Sequence, residues 1–298
     1  MRISGRSPLD SASRGSILPN ASHLVRFVPF IPRRRTRESS SLDRWAALVV
    51  GLTVMTACAT ATASREPLVS DRPDFTESAE TIRPGALQLE GGHTFERIEA
   101  AKVNTTGEIL LRVGITPRAE LRIEPGSYAK ATSANGTMSG REDGALGVKV
   151  RLHVPAAEGP SILPSVSVVL LSTVPSGSRV FRQNRLQPEL KLASQWTVSD
   201  RVGLATNLNV ARLRDENGRY TEFGGSLSAG IALTERVGAY AEVFGFAPQL
   251  DGVGRTHYAN TGLTFGVTPN VQLDVRGGVG LNGAAPDYFV GAGFARRW

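Results

Sequence analysis

Cysteine is nearly absent from this chain: Cys58 is the only one, so no disulfide framework can form within it. Histidine is almost as scarce. Past residue 63 there are only His93, His153 and His257, and none are spaced as paired metal ligands. Aromatic residues make up 6% of the chain, and no apolar run approaches the roughly 20 residues that a membrane-spanning helix needs. The 32 glycines build no phosphate-cradling loop; they are scattered through alternating segments, where curvature and close packing account for them. These absences argue against a helical membrane protein and predict no metal, no cofactor and no catalytic residues. They do not exclude a membrane, because a β-barrel alternates polar and apolar residues and averages to the composition of a soluble protein.

The formal charge of +7 would ordinarily suggest nucleic acid, but nine arginines against three acids fall in residues 1–63, and the remainder is close to neutral. The basic balance therefore belongs to a leader, and no nucleic-acid partner is expected. That leader runs from basic Arg33–Arg44 through an apolar core, Trp45–Thr56, to Ala61-Thr62-Ala63, a small-residue cleavage pattern before Ser64. It is long for a signal peptide, which places the working start downstream of Met1, near Leu42 or earlier. The Arg33-Arg34 pair lacks the continuation that twin-arginine export expects. Met55-Thr56-Ala57-Cys58 is similar to a lipoprotein box with methionine for leucine, so lipidation at Cys58 is the alternative to cleavage after Ala63.

From Ala86 onward the chain breaks into runs of about ten residues with period-two alternation, as a pleated strand between lipid and water requires. Ile109, Leu111, Val113 and Ile115 alternate with Glu108, Arg112 and Gly114; Leu121 and Ile123 alternate with Glu120, Arg122 and Glu124. Leu146, Val148, Val150 and Leu152 interleave with Lys149, Arg151 and His153, and Val271, Leu273 and Val275 with Gln272, Asp274 and Arg276. Twelve runs are predicted, at about 86–99, 103–115, 119–132, 142–153, 163–174, 186–198, 201–214, 219–233, 236–247, 256–267, 271–280 and 287–298. The fifth is apolar on both faces, which leaves its register open.

Tight turns at Thr116-Pro117-Arg118, Ser199-Asp200, Thr234-Glu235 and Thr268-Pro269-Asn270 alternate with longer stretches at 133–141, 175–185, 248–255 and 281–286. This is the short-periplasmic, long-outer rhythm of outer-membrane barrels, with 215–218 and 154–162 as blemishes. A soluble β-sandwich is the competing architecture. It needs a wholly apolar interior, whereas here many alternating faces carry charge. The expected fold is thus an all-β, antiparallel transmembrane barrel of about 12 strands over 86–298, behind a 1–63 leader and a 64–85 periplasmic segment. The last strand ends on Trp298 and resembles the signal that hands barrels to the outer-membrane assembly machinery, with Arg296 departing from its hydrophobic pattern.

Ser70-Asp71-Arg72-Pro73-Asp74-Phe75-Thr76-Glu77-Ser78, followed by Pro84-Gly85-Ala86-Leu87-Gln88-Leu89-Glu90-Gly91-Gly92, resembles the opening of the bacterial outer-membrane transporters grouped as the meta-pathway phenol-degradation family. Leu273-Asp274 with Gly278 and Gly280–Phe289 is similar to their closing hairpin, and Thr173-Val174-Pro175-Ser176-Gly177 to a middle strand end. The resemblance implies a barrel with a transport role and brings no catalytic residues. The family name is not evidence of a substrate.

In the opening motif, Pro73 and Asp74 are read as a turn leading into the first strand, with plugging of the periplasmic mouth and cation binding as the alternatives. Lumen-lining candidates are Glu108, Arg112, Glu120, Arg122, Glu124, Tyr128, Lys149, Arg151, Tyr240, Glu242, Asp274 and Arg276. Tyr128, Tyr240 and Phe244 on the predicted inner face hint at an apolar or aromatic solute. Lumen charges are expected to pair across the narrow space of a twelve-strand barrel. A channel for small molecules is the first reading and a closed structural or adhesive barrel the alternative. A lipid-facing serine hydrolase is the rival class, disfavoured because His93 has no serine on its own or neighbouring runs. Expected partners are outer-membrane lipid and lipopolysaccharide, the latter through outer-end arginines (Arg141, Arg179, Arg182, Arg185, Arg212, Arg214, Arg219, Arg255), and the assembly machinery. N-terminal sequencing of the exported protein should begin at Ser64; a palmitate-labelled chain blocked at Cys58 would instead establish the lipoprotein.

Overall fold

The computed structural model describes residues 68–156, 160–214, 218–248 and 254–298; the leader, with Cys58 and Ala63, lies outside them. Alternating sequence folds into fourteen strand segments: β1 (Leu87–Ile98), β2 (Ala101–Thr116), β3 (Ala119–Glu124), β4 (Tyr128–Ser133), β5 (Gly136–Arg141), β6 (Gly144–His153), β7 (Ser165–Val174), β8 (Gln187–Thr197), β9 (Val202–Arg214), β10 (Arg219–Ala232), β11 (Val237–Ala247), β12 (Thr256–Thr268), β13 (Val271–Gly280) and β14 (Tyr288–Arg297). Every pairing is antiparallel, and β14 pairs with β1 from Gln88↔Arg297 to Arg97↔Tyr288, closing the sheet on itself. The long β2 pairs with β3 along one half and β4 along the other, while β3 pairs with β6 and β4 with β5. Segments β3–β4 and β5–β6 each fill one position, so the barrel has twelve strands.

The outward face is apolar: Leu146, Val148, Val150 and Leu152 of β6, and Leu204 and Leu208 of β9, are exposed, whereas Lys149 between them is fully buried. A closed barrel with an apolar outside and charged inside spans a lipid layer, since closure leaves no backbone edge unpaired in the membrane. The fifth predicted run takes a definite register, with Ser167, Val169 and Leu171 of β7 inward and Leu170 outward. At the expected tight turns, short side chains satisfy the backbone locally. Ser199 Oγ accepts from Val202 N at 3.1 Å, Thr234 Oγ1 from Val237 N at 3.0 Å and Thr268 Oγ1 from Asn270 N at 3.2 Å.

Two expectations need correcting. The stretch 133–141 is not simply an outer loop, because β5 fills most of it and pairs with β4 from Ser133↔Gly136 to Tyr128↔Arg141. Strict alternation also fails along β2 and along β3–β4. Arg112 and Gly114 point inward, but so do Ala101, Val103 and Thr105, an inversion of parity that occurs at Gly107 (φ 103°) and Glu108 (φ 44°). Next door, Glu120 and Arg122 of β3 are buried, yet in β4 Ala129 and Ala131 are, and the inversion coincides with Pro125-Gly126-Ser127. Two paired strands thus invert at one level, each through a glycine in the left-handed region. Gly126 has φ 86°, and a Cβ there would meet the Glu142 carbonyl oxygen. Gly126→Ala should destabilise the barrel by about 1–2 kcal/mol or more, read as a lower temperature of heat-modifiability in detergent.

Candidate functional site

Residues 68–86 do not form a simple lead-in turn beside the barrel; they run inside it. Ala79 and Ile82 are buried, and the segment contacts inward side chains from strands all around the lumen. Asp71 meets Arg122 Nη1 at 2.6 Å, Lys149 Nζ at 2.8 Å and Arg112 Nη1 at 3.5 Å. Glu77 meets Lys191 Nζ at 2.6 Å and Arg122 Nη2 at 3.1 Å. In the reverse sense, Arg72 reaches Glu108 at 2.9 Å and Asp274 at 3.4 Å, and Arg276 donates to the Pro73 carbonyl at 3.0 Å. The segment's backbone is held too: Phe75 N and Thr76 N donate to Glu242 at 2.9 and 2.6 Å, and Ile82 N to Glu120 at 2.9 Å.

The expected pairing of charges across the lumen is therefore replaced by pairing through the segment. Arg112 and Glu120 do pair at 2.9 Å, but as neighbours on β2 and β3. Arg151 holds Glu80 at 2.8 Å, and Glu124 lines the open space above. Tyr240 is buried on the inner face. Tyr128 is the exception: it is 52% exposed, because the break at 125–127 turns it outward. Sequence reasoning did not assign Arg72, Phe75, Phe246, Tyr258 or Phe289 to the lumen. For Arg72 and Phe75 the signal was present in the charged opening motif, which a turn alone would not require.

Phe75 sits at the inner tip of the segment in an aromatic cluster. It stacks on Phe244 with ring centroids 4.7 Å apart and meets Phe246 edge-on at 5.3 Å, while Phe244 stacks on Tyr258 at 4.6 Å. Beside this cluster lies a cavity of about 240 Å³ whose lining takes in Phe75, Phe244 and Phe289, the ion-paired Asp71, Glu77, Arg122 and Lys191, and Glu124, Glu142, Phe181 and Glu189. Its outer wall includes the β7–β8 connection. There Asp143 accepts from Ser176 N at 3.0 Å, Gly177 N at 2.8 Å and Gln183 N at 2.8 Å. The Pro175-Ser176-Gly177 motif is thereby fastened to the β5–β6 junction, and Phe181 is buried against Ala129 and Ala131.

Burial alone would raise the Glu77 carboxyl, but the Arg122 guanidinium and the Lys191 ammonium outweigh it and hold the group down at about 2. Burial likewise opposes the ionisation of Asp71, and Arg112, Lys149 and Arg122 override it to keep that carboxyl well below the usual range. Depressed values mean that the anchoring is fully present above the ordinary carboxylate range and is lost only as pH falls through the depressed values. A spin label at Ser70→Cys, in a mature chain without other cysteines, should therefore stay immobile from pH about 7 to about 4 and loosen only towards pH about 2. Mobility already at neutral pH would show that the segment is not anchored this way.

Among solved structures, the COG4313 outer membrane channel from Pseudomonas putida F1 is similar at 15% identity, covering 74% of this chain and 98% of that one with a TM-score of 0.57. The NanC porin (12% identity, 70% and 98% covered, TM-score 0.48) and the KdgM porin in complex with disordered oligogalacturonate (9%, 70% and 98%, 0.46) are more distant. The first shares the barrel fold; nothing is argued from the other two. No curated protein matches in sequence. Residues 70–298 match the family described as "Putative MetA-pathway of phenol degradation", a span that includes both the lumen segment and the whole barrel, and the chain belongs to that family.

Proposed function

We propose that this protein is a porin-like outer-membrane channel for small molecules, closed by its own N-terminal segment, which must shift for a solute to pass. The observation that carries the reading is the cavity of about 240 Å³ in the lumen, one wall of which is Asp71, Arg72, Asp74, Phe75 and Glu77 of a non-barrel segment rather than barrel wall. Its aromatic residues favour an apolar or aromatic solute, and its charged ones favour selection among solutes that enter. The phenol pathway in the family's description is no evidence for phenol as the solute here.

A non-enzymatic role is supported by the surroundings of the histidines. His93 Nδ1 lies 2.9 Å from Thr106 Oγ1 on the outer surface, and His153 Nδ1 lies 2.7 Å from the Pro164 carbonyl oxygen, so neither is arranged as the base of a serine nucleophile. We place export in the 1–63 leader, with cleavage after Ala63 or lipidation at Cys58, and assembly in recognition of β14 and Trp298. Trp298 N donates to the Leu87 carbonyl at 2.8 Å, so recognising the end of the chain would also engage the strand that closes the barrel.

A second reading, a closed structural or adhesive barrel, is favoured by the fully buried Arg112, Lys149 and Glu90, which with the segment fill the inner half like a core. Planar-bilayer conductance separates the two. Mature Ser64–Trp298 should give rare, small steps, and Asp71→Asn with Glu77→Gln should give larger and more frequent ones, because breaking buried pairs costs about 3–5 kcal/mol each. Heat-modifiability verifies that both barrels are folded. Silence from both folded proteins would sink the channel and favour the closed barrel.

A further inference from the structure

The outer end of the β9–β10 hairpin has a feature that transport does not use. Outward positions on β9 run Leu204, Thr206, Leu208, Val210, Arg212 and Arg214; those on β10 run Ile231, Ala229, Leu227, Gly225, Phe223, Thr221 and Arg219. Their register sets Val210 opposite Phe223, Arg212 opposite Thr221 and Arg214 opposite Arg219. The lipid-facing surface thus changes from apolar to cationic in one step, immediately beyond an exposed phenylalanine. Each two-residue step raises the chain by about 5 Å along the membrane normal once strand tilt is included. The arginines therefore stand at headgroup height, on the side away from the tight turns, which is the outer leaflet.

Like charges directly opposite each other in a sheet are unfavourable unless something offsets them. Arg214 and Arg219 form such a pair, and both are exposed. No ion pair to Arg212, Arg214 or Arg219 is formed among the described residues. The exposed Arg212 guanidinium is positioned by donating from Nη1 to Thr221 Oγ1 at 2.7 Å. Arg185, exposed just before β8, adds a further cation at the same end of the neighbouring strand. A guanidinium fork binds phosphate oxygens bidentately, and phosphate at the edge of an acyl layer is the chemistry of the lipid A headgroup.

We propose that Arg212, Arg214 and Arg219 form a binding site for the phosphates of lipopolysaccharide, fixing one outer-leaflet lipid against β9 and β10. Of the outer-end arginines, this selects those whose outward direction and register bring them together beside lipid. Arg141, by contrast, is engaged with the Ser176 carbonyl at 2.6 Å.

The test is retention of lipopolysaccharide by the folded, full-length mature barrel, measured by native mass spectrometry and by titration in detergent. The variant carrying Arg212→Gln, Arg214→Gln and Arg219→Gln should bind at least about tenfold more weakly, as should the unaltered protein towards lipopolysaccharide stripped of its phosphates. Heat-modifiability serves as the folding check. Asp215→Asn with Glu216→Gln, between Arg214 and Arg219 in the sequence, should leave retention unchanged or raise it. Equal retention by the triple variant, indifference to dephosphorylation, or a fall in the Asp215/Glu216 variant would overturn the site. Full displacement by inorganic phosphate would assign the cluster to a soluble anion and overturn the lipid reading.

Discussion

A closed barrel turns about half of its strand residues inward, and where the N-terminal segment fills that interior each inward charge must find a partner or pay for desolvation. Arg112, Arg122, Lys149 and Lys191 are all buried there. Their ion pairs converge on wall carboxylates and on Asp71 and Glu77, which belong to no strand. The rest of the interior follows from this. The segment must enter the barrel to deliver those carboxylates, its backbone donors then require Glu242 and Glu120, and Phe75 is carried up to the aromatic cluster.

The open space in the lumen consequently borders both chemistries: its wall carries Glu124, Glu142 and Glu189 on the strands and their connections, and Asp71, Phe75 and Glu77 on the segment with their partners Arg122 and Lys191.

The parity breaks at Gly107–Glu108 and Pro125–Ser127 mark where the inward face of these strands changes. Below them, alternation places Arg112, Glu120 and Arg122 inward; above them, it places Val103, Ala129 and Ala131 inward, against Phe181. The left-handed Glu108 at the boundary accepts from Thr94 Oγ1 at 2.6 Å and pairs with Arg72, so the local strain coincides with an anchoring point for the segment.

Strand number, the faces of most strands, and the tight turns were legible in the sequence, because each depends on period-two patterning and on turn residues acting within a few positions. Arg112, Glu120, Arg122, Lys149, Glu242, Asp274 and Arg276 could be assigned inward on that basis alone. Tyr128 could not, since its direction is decided by a backbone break that leaves no mark on the alternation beyond Pro125 and Gly126. Nor could the course of residues 68–86: Asp71 meets Arg122 and Lys149 only after closure brings distant strands round one axis, and no local pattern encodes that meeting. The sequence by itself determined, wherever period two runs unbroken, which residues share a face of the sheet. Which of them touch, and that the chain's own N-terminal segment lies among them, was decided only by the closing of the barrel.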